Sequence, residues 1–127
     1  MTEIAGDEFA RGVEHFNAAE FWEAHESWEQ LWLEAEGDLV EFYQGLIQLA
    51  AAYHHCKRGT LRGAVRLFDA AARRLAPFPP RFHELDREDA AATAARHRHW
   101  AAANIESGAK LDSREFPKLV LSRPGGA

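Results

Sequence analysis

His25 and Glu29 stand four residues apart in the run Phe21-Trp22-Glu23-Ala24-His25-Glu26-Ser27-Trp28-Glu29-Gln30-Leu31-Trp32. On a helix that spacing puts an imidazole and a carboxylate on one face, one turn apart. With His54 or His55 from further along the chain they would supply two imidazoles and a carboxylate. Such a set suits zinc, or iron or manganese where carboxylates dominate, with positions left open for water. Glu26 and Glu23 are then the candidate general bases toward a bound water whose pKa the divalent ion lowers. The same residues also support a structural reading, in which His25, Glu29, Gln44 and Gln48 form a buried hydrogen-bonded network that fixes helix pairing. Glutamine and neutral imidazole each both donate and accept, so four such groups could satisfy one another without metal. The chain contains no His-Glu-x-x-His motif, no Gly-rich phosphate loop and no Gly-x-Ser-x-Gly turn.

The elements that must position these residues are helical. Phe9, Val13 and Phe16 predict a first helix from Asp7, its expected N-cap, to about Asn17, and Asn17-Ala18-Ala19-Glu20 reverses the chain. A second helix over about 20–34 carries Phe21, His25, Trp28, Glu29 and Trp32 on one side. Trp22, Trp28 and Trp32 read as core aromatics. Gly37-Asp38, with Glu41 at capping-box distance, opens a third helix over 39–58 that ends at Gly59. It is apolar on most sides and belongs at the centre of a bundle, with Gly45 marking a close helix contact. Thr60 caps a fourth helix, 61–75, whose far face carries Arg62, Arg66, Arg73 and Arg74, candidates to face the glutamates of the second helix. Three prolines make 77–80 a linker, because proline lacks the amide hydrogen a helix needs. Asp86 and Asp89 start a fifth, alanine-rich helix, 87–107, with few large apolar residues and weaker packing. The tail 108–127 is expected to be extended and docked through Phe116 and Leu119. The fold expected is one all-α domain over 1–127, a bundle of about five helices with its core in 7–76.

Bulk composition narrows the partners. A chain of 127 residues, 46% hydrophobic and 28% charged, suits a single domain with its own core. A net charge of -5 and a pI near 5.8 offer no cationic field for nucleic acid. Cys56 is the only cysteine, which rules out an internal disulfide and fits a reducing, cytoplasmic setting. The most apolar stretch, Leu46 to Tyr53, is interrupted by Gln48 and too short to span a bilayer, and the N-terminus has no signal-peptide pattern. A soluble, unprocessed protein is expected, open to a protein partner or to homo-oligomerisation.

Phe16-Asn17, then Glu23-Ala24-His25-Glu26-Ser27-Trp28-Glu29, then Gln44-Gly45-Leu46-Ile47-Gln48, one of His54 and His55, Gly59 and Gly63-Ala64 together resemble the bacterial and archaeal family catalogued as domain of unknown function 309, over about residues 9–75. The resemblance implies a small helical bundle and carries the label of a metal-dependent hydrolase. It maps onto Glu23, His25, Glu26, Glu29, Gln44, Gln48 and a histidine of the 54/55 pair. Two positions depart from it. Ala19 stands where members usually have glycine, so a left-handed residue there would be strained by about 1 kcal/mol. Glu84-Leu85-Asp86 keeps only the tail of a Gly-ψ-Asp element, ψ being aliphatic. Two functions follow: a metal-dependent hydrolase of small molecules, or a non-enzymatic helical interaction or ligand-binding module built like tetratricopeptide-type adaptors. Converging imidazoles and carboxylates would favour the first, a groove with exposed tryptophan the second.

Overall fold

The computed structural model describes residues 6–121. Phe9, Val13 and Phe16 form the buried stripe of α1 (Asp7–Asn17). Gly6, and not Asp7, is its N-cap; Asp7 and Glu8 lie in the first turn, where carboxylates meet the positive end of the helix dipole. The reversal after α1 is tight, with the Ala18 and Glu20 amides both donating to the His15 carbonyl. Ala19 takes a left-handed φ of 62°, so the strain foreseen for an alanine at this position is present. Lys57 Nζ donates to the Ala19 carbonyl at 2.9 Å and ties the turn to the end of the third helix.

α2 (Phe21–Glu34) runs back along α1, with Phe16 against Phe21 near the turn and Phe9 against Trp28 away from it. Gly37 at φ 63° is the N-cap of α3 (Asp38–Arg58), so the helix includes Asp38, whose side chain makes no capping bond. α3 is buried around much of its circumference and packs against both α2 and α4 (Leu61–Leu75). Gly45 is a close approach as expected, since a Cβ there would sit 2.8 Å from Leu75 of α4. The arginines of α4 do not answer the glutamates of α2. Arg74 pairs with Glu41 of α3 at 2.6 Å, because α4 packs on α3 and α5.

Residues 81–86, between the linker expected at 77–80 and the helix expected from 87, form a small antiparallel hairpin. β1 (Arg81–Phe82) pairs with β2 (Leu85–Asp86), Phe82 opposite Leu85. The two-residue turn places both His83 (φ 55°) and Glu84 (φ 69°) in the left-handed region, the signature of a type I′ turn usually made by Asn-Gly. Glu84 therefore holds the conformation that a glycine in the Gly-ψ-Asp element would adopt freely. Asp86 accepts from the Asp89 amide at 3.0 Å and caps α5 (Arg87–Ala103), as its spacing indicated. α5 stops at Ala103, short of 107, since Asn104 turns its amide back onto the Trp100 carbonyl at 2.8 Å.

The chain after 108 is not uniformly extended. A 3₁₀ turn at Ser113–Glu115 interrupts it, with Asp112 accepting from the Arg114 amide. The strap is fastened at three points: Leu111 N donates to the Cys56 carbonyl at 3.0 Å, Phe116 meets the Phe21 ring edge-on, and Asn17 exchanges two hydrogen bonds with the Leu119 backbone. Leu119 is buried and Phe116 half-buried. Leu121 forms a bridge to Leu85, and the expected extended tail over 122–127 lies outside the described residues. The described residues thus form a mostly helical bundle of five helices with one small hairpin, and no helix among them is long and apolar enough to cross a membrane.

Candidate functional site

Trp28 is fully buried, and its Nε1 donates to the Phe9 carbonyl at 3.3 Å. The indole lies so close to α1 that a Cβ at Gly12 would fall inside its van der Waals envelope. Gly12 was missed in the sequence, although a glycine on the stripe of Phe9, Val13 and Phe16 was the available signal. Trp32 packs half-buried on the core. Trp22 does not join the core, being 46% exposed. The first turn of α2 buries Phe21 and Ala24, and Trp22 between them points off that face.

Trp22 is nevertheless ordered by its neighbours. Its indole stacks on the His25 imidazole, nearly parallel at 9° and with ring centroids 4.5 Å apart. It also meets His54 of α3 at 5.3 Å. His54 is therefore the histidine that faces α2. Burial first, then the charges of Arg58, His55 and Lys57, lower its pKa against the opposing pull of Glu23. His55 turns toward α4, where its Nδ1 lies 2.6 Å from the Thr60 hydroxyl and its ring lies over Gly63. Thr60 occupies the N-cap of α4, but its hydroxyl serves His55 and not the helix amides.

The candidate metal donors have the following surroundings. His25 and His54 both pack on Trp22, Glu23 and Glu26 point outward in solvent, and Glu29 is half-buried. Among the described residues no three His, Cys, Asp or Glu side chains converge as a metal-binding group. His25 and His54 share the Trp22 surroundings, while His55 is committed to Thr60. Among the described residues, no hydrogen bond joins His25, Glu29, Gln44 and Gln48 either. His25 Nδ1 and Gln48 Oε1 are buried without a protein partner, so the expected network does not close. The two helices that carry the motifs contain both of these unmet atoms.

Two further polar pairs escaped the sequence reading. Tyr43 and His83 are hydrogen-bonded at 2.7 Å inside a box formed by Phe9 and Phe42. Burial pushes the Tyr43 phenol up to about 12 and holds His83 below its ordinary value. Tyr53 and His97 are hydrogen-bonded at 2.7 Å in the core between α3 and α5. Burial raises Tyr53 and lowers His97, the latter with help from Arg96. His97 had a legible signal, since it shares the α5 face of Ala90, Ala94 and Ala101. His83 had none, because its placement depends on a hairpin that no turn dipeptide announces.

Residues 9–67 match the family model described as a domain of unknown function. No curated protein matches the chain. The matched segment includes Trp22, His25, His54 and both motifs, and it stops before the hairpin, α5 and the strap.

Proposed function

With residues 9–67 a member of the domain of unknown function 309 family, we propose that the chain is a non-enzymatic helical interaction module that engages a partner through the Trp22 face of α2. The observation that carries this reading is the state of Trp22, an indole 46% exposed yet held in place by His25 and His54. A large, rigid, amphipathic ring that is already oriented gains contact area on binding at small entropic cost, which is why tryptophan recurs at interface hot spots. Glu23 and Glu26 are exposed on α2, which contains no lysine or arginine, while Lys57 and Arg58 lie beside His54 at the other edge of the indole, so the face offers charge of both signs to a partner. The hydrolase reading would need the imidazoles to share an ion, whereas His25 is stacked on the indole and His54 meets it at a tilt of 46°.

Two measurements on tag-free protein test this. Elemental analysis for zinc, iron, manganese and nickel, with thermal shift against each ion, should give substoichiometric metal and an unchanged melting temperature. A photo-crosslinking residue at position 22 should trap a discrete partner in cells, and one at the exposed position 36 should not. Stoichiometric metal that disappears in His25→Gln would overturn the module and restore the hydrolase.

A further inference from the structure

On the side of the bundle formed by α5 and the strap, a cleft of about 500 Å³ opens over His97. It lies outside residues 9–67 and far along the chain from the Trp22 face. Its volume is in the range of sites that hold a small organic molecule, roughly 300–1,000 Å³. The floor is His97, only 6% exposed, with Nδ1 held by the Tyr53 hydroxyl, so it is rigid and polar but has no free acceptor on that nitrogen. One wall is the indole of Trp100 on α5. Arg96 and Lys110 contribute to the lining from opposite sides, one on the helix and one on the strap.

The charges around this cleft are unevenly committed. Asp112 is chelated by the Arg114 guanidinium through two contacts of 3.1 and 2.9 Å, which leaves its charge largely spent. Glu115 is the remaining carboxylate of the lining. Arg96 and Lys110 make no ion pair among the described residues. In a chain of net charge -5, Arg96 and Lys110 beside a tryptophan place two cations without ion-pair partners on one cleft. A guanidinium and an ammonium recognise a carboxylate or phosphate by charge-assisted hydrogen bonds, while an indole face offers stacking to a planar ring. The strap is fixed within the cleft by the Leu111–Cys56 bond and after it by the Asn17–Leu119 pair, so the pocket exists without a ligand to shape it.

We infer that this cleft binds a planar aromatic ring bearing an anionic group, the ring against Trp100 and the anion between Arg96 and Lys110. The site is independent of the interaction face, and its failure would leave that reading untouched.

The test is a titration of isotope-labelled full-length protein followed by the indole N–H resonances, with Trp100 assigned from Trp100→Phe. The probes are benzoate, phenyl phosphate, benzyl alcohol and inorganic phosphate. Benzoate or phenyl phosphate should shift the Trp100 resonance saturably while the other three indoles stay in place. Benzyl alcohol and inorganic phosphate, each carrying half of the recognition, should bind at least tenfold more weakly. Arg96→Gln and Lys110→Gln, both surface changes, should each weaken the aromatic anion by about tenfold without altering the melting temperature. No saturable shift with either aromatic anion, or a shift that both variants preserve, overturns the site. Inorganic phosphate binding as tightly as phenyl phosphate overturns the part assigned to Trp100.

Discussion

The indole of Trp28 occupies the volume that any side chain at Gly12 would need, and its Nε1 closes the contact by donating to the Phe9 carbonyl one turn away. The α1–α2 hairpin is set by this single fit, in which the largest side chain of the core lies flat against bare backbone. The Trp22 face owes its position to it, since α2 has no other indole in the core at full burial.

Gly12→Ala is expected to destabilise the protein by about 2–3 kcal/mol, although alanine adds about 1 kcal/mol of helix propensity. The methyl group must displace Trp28 and break its hydrogen bond. Urea unfolding of the two proteins measures the difference. An alanine variant as stable as the parent would mean that Trp28 has room to move and does not set the hairpin.

Ala19→Gly and Glu84→Gly should each stabilise by about 0.5–1 kcal/mol, the left-handed penalty less the extra chain entropy of glycine. Both residues hold positive φ with an ordinary side chain. Ala18→Gly serves as the control, for Ala18 has φ -92° and offers no strain to relieve. A gain confined to positions 19 and 84 is the expected pattern in thermal melts.

Stability should fall as the medium is acidified below neutrality. His54, His55, His83 and His97 all have folded pKa values below the ordinary histidine value of 6.5, burial being the first cause in each. The unfolded chain then binds protons before the folded one does, so the contribution is intact above pH of about 6.5 and is lost as pH falls toward the folded values. Urea midpoints at intervals from pH 8 to 5 follow this directly. His97→Gln should flatten the profile, since it removes the most buried of the four; a slope that is unchanged would assign the effect to His54, His55 and His83.

Replacing Gln48 by methionine should raise stability by about 1 kcal/mol, because a buried oxygen without a partner is exchanged for a thioether of similar volume. A loss of stability would show instead that the oxygen has a donor in solution, and would direct attention to what bridges it to His25.

Much of this architecture was legible along the chain. The stripe Phe9, Val13, Phe16 gave α1, the glycine at 59 ended α3 where it was expected, and Asp86 with Asp89 capped α5. The motif run carried the family resemblance that the matched residues 9–67 support. These features are local: capping, helix periodicity and residue spacing act within a turn or two of backbone, so neighbouring letters contain them.

The site was a different matter. The sequence by itself determined a helical bundle, the two motif helices and which polar residues they carry. It left open whether Trp22 is buried, which of His54 and His55 faces α2, and whether the donors meet. Successive residues on a helix point about 100° apart, so a small rotation of α2 against α3 decides each of these questions. That rotation is set by contacts between distant segments, above all Trp28 on Gly12, and by the strap that binds Leu111 to Cys56 and Leu119 to Asn17. Only the tertiary structure decided that the His25 imidazole would stack on an exposed indole with His54 beside it and that His83 would lock onto Tyr43, because packing energy is summed over neighbours in space and not along the chain.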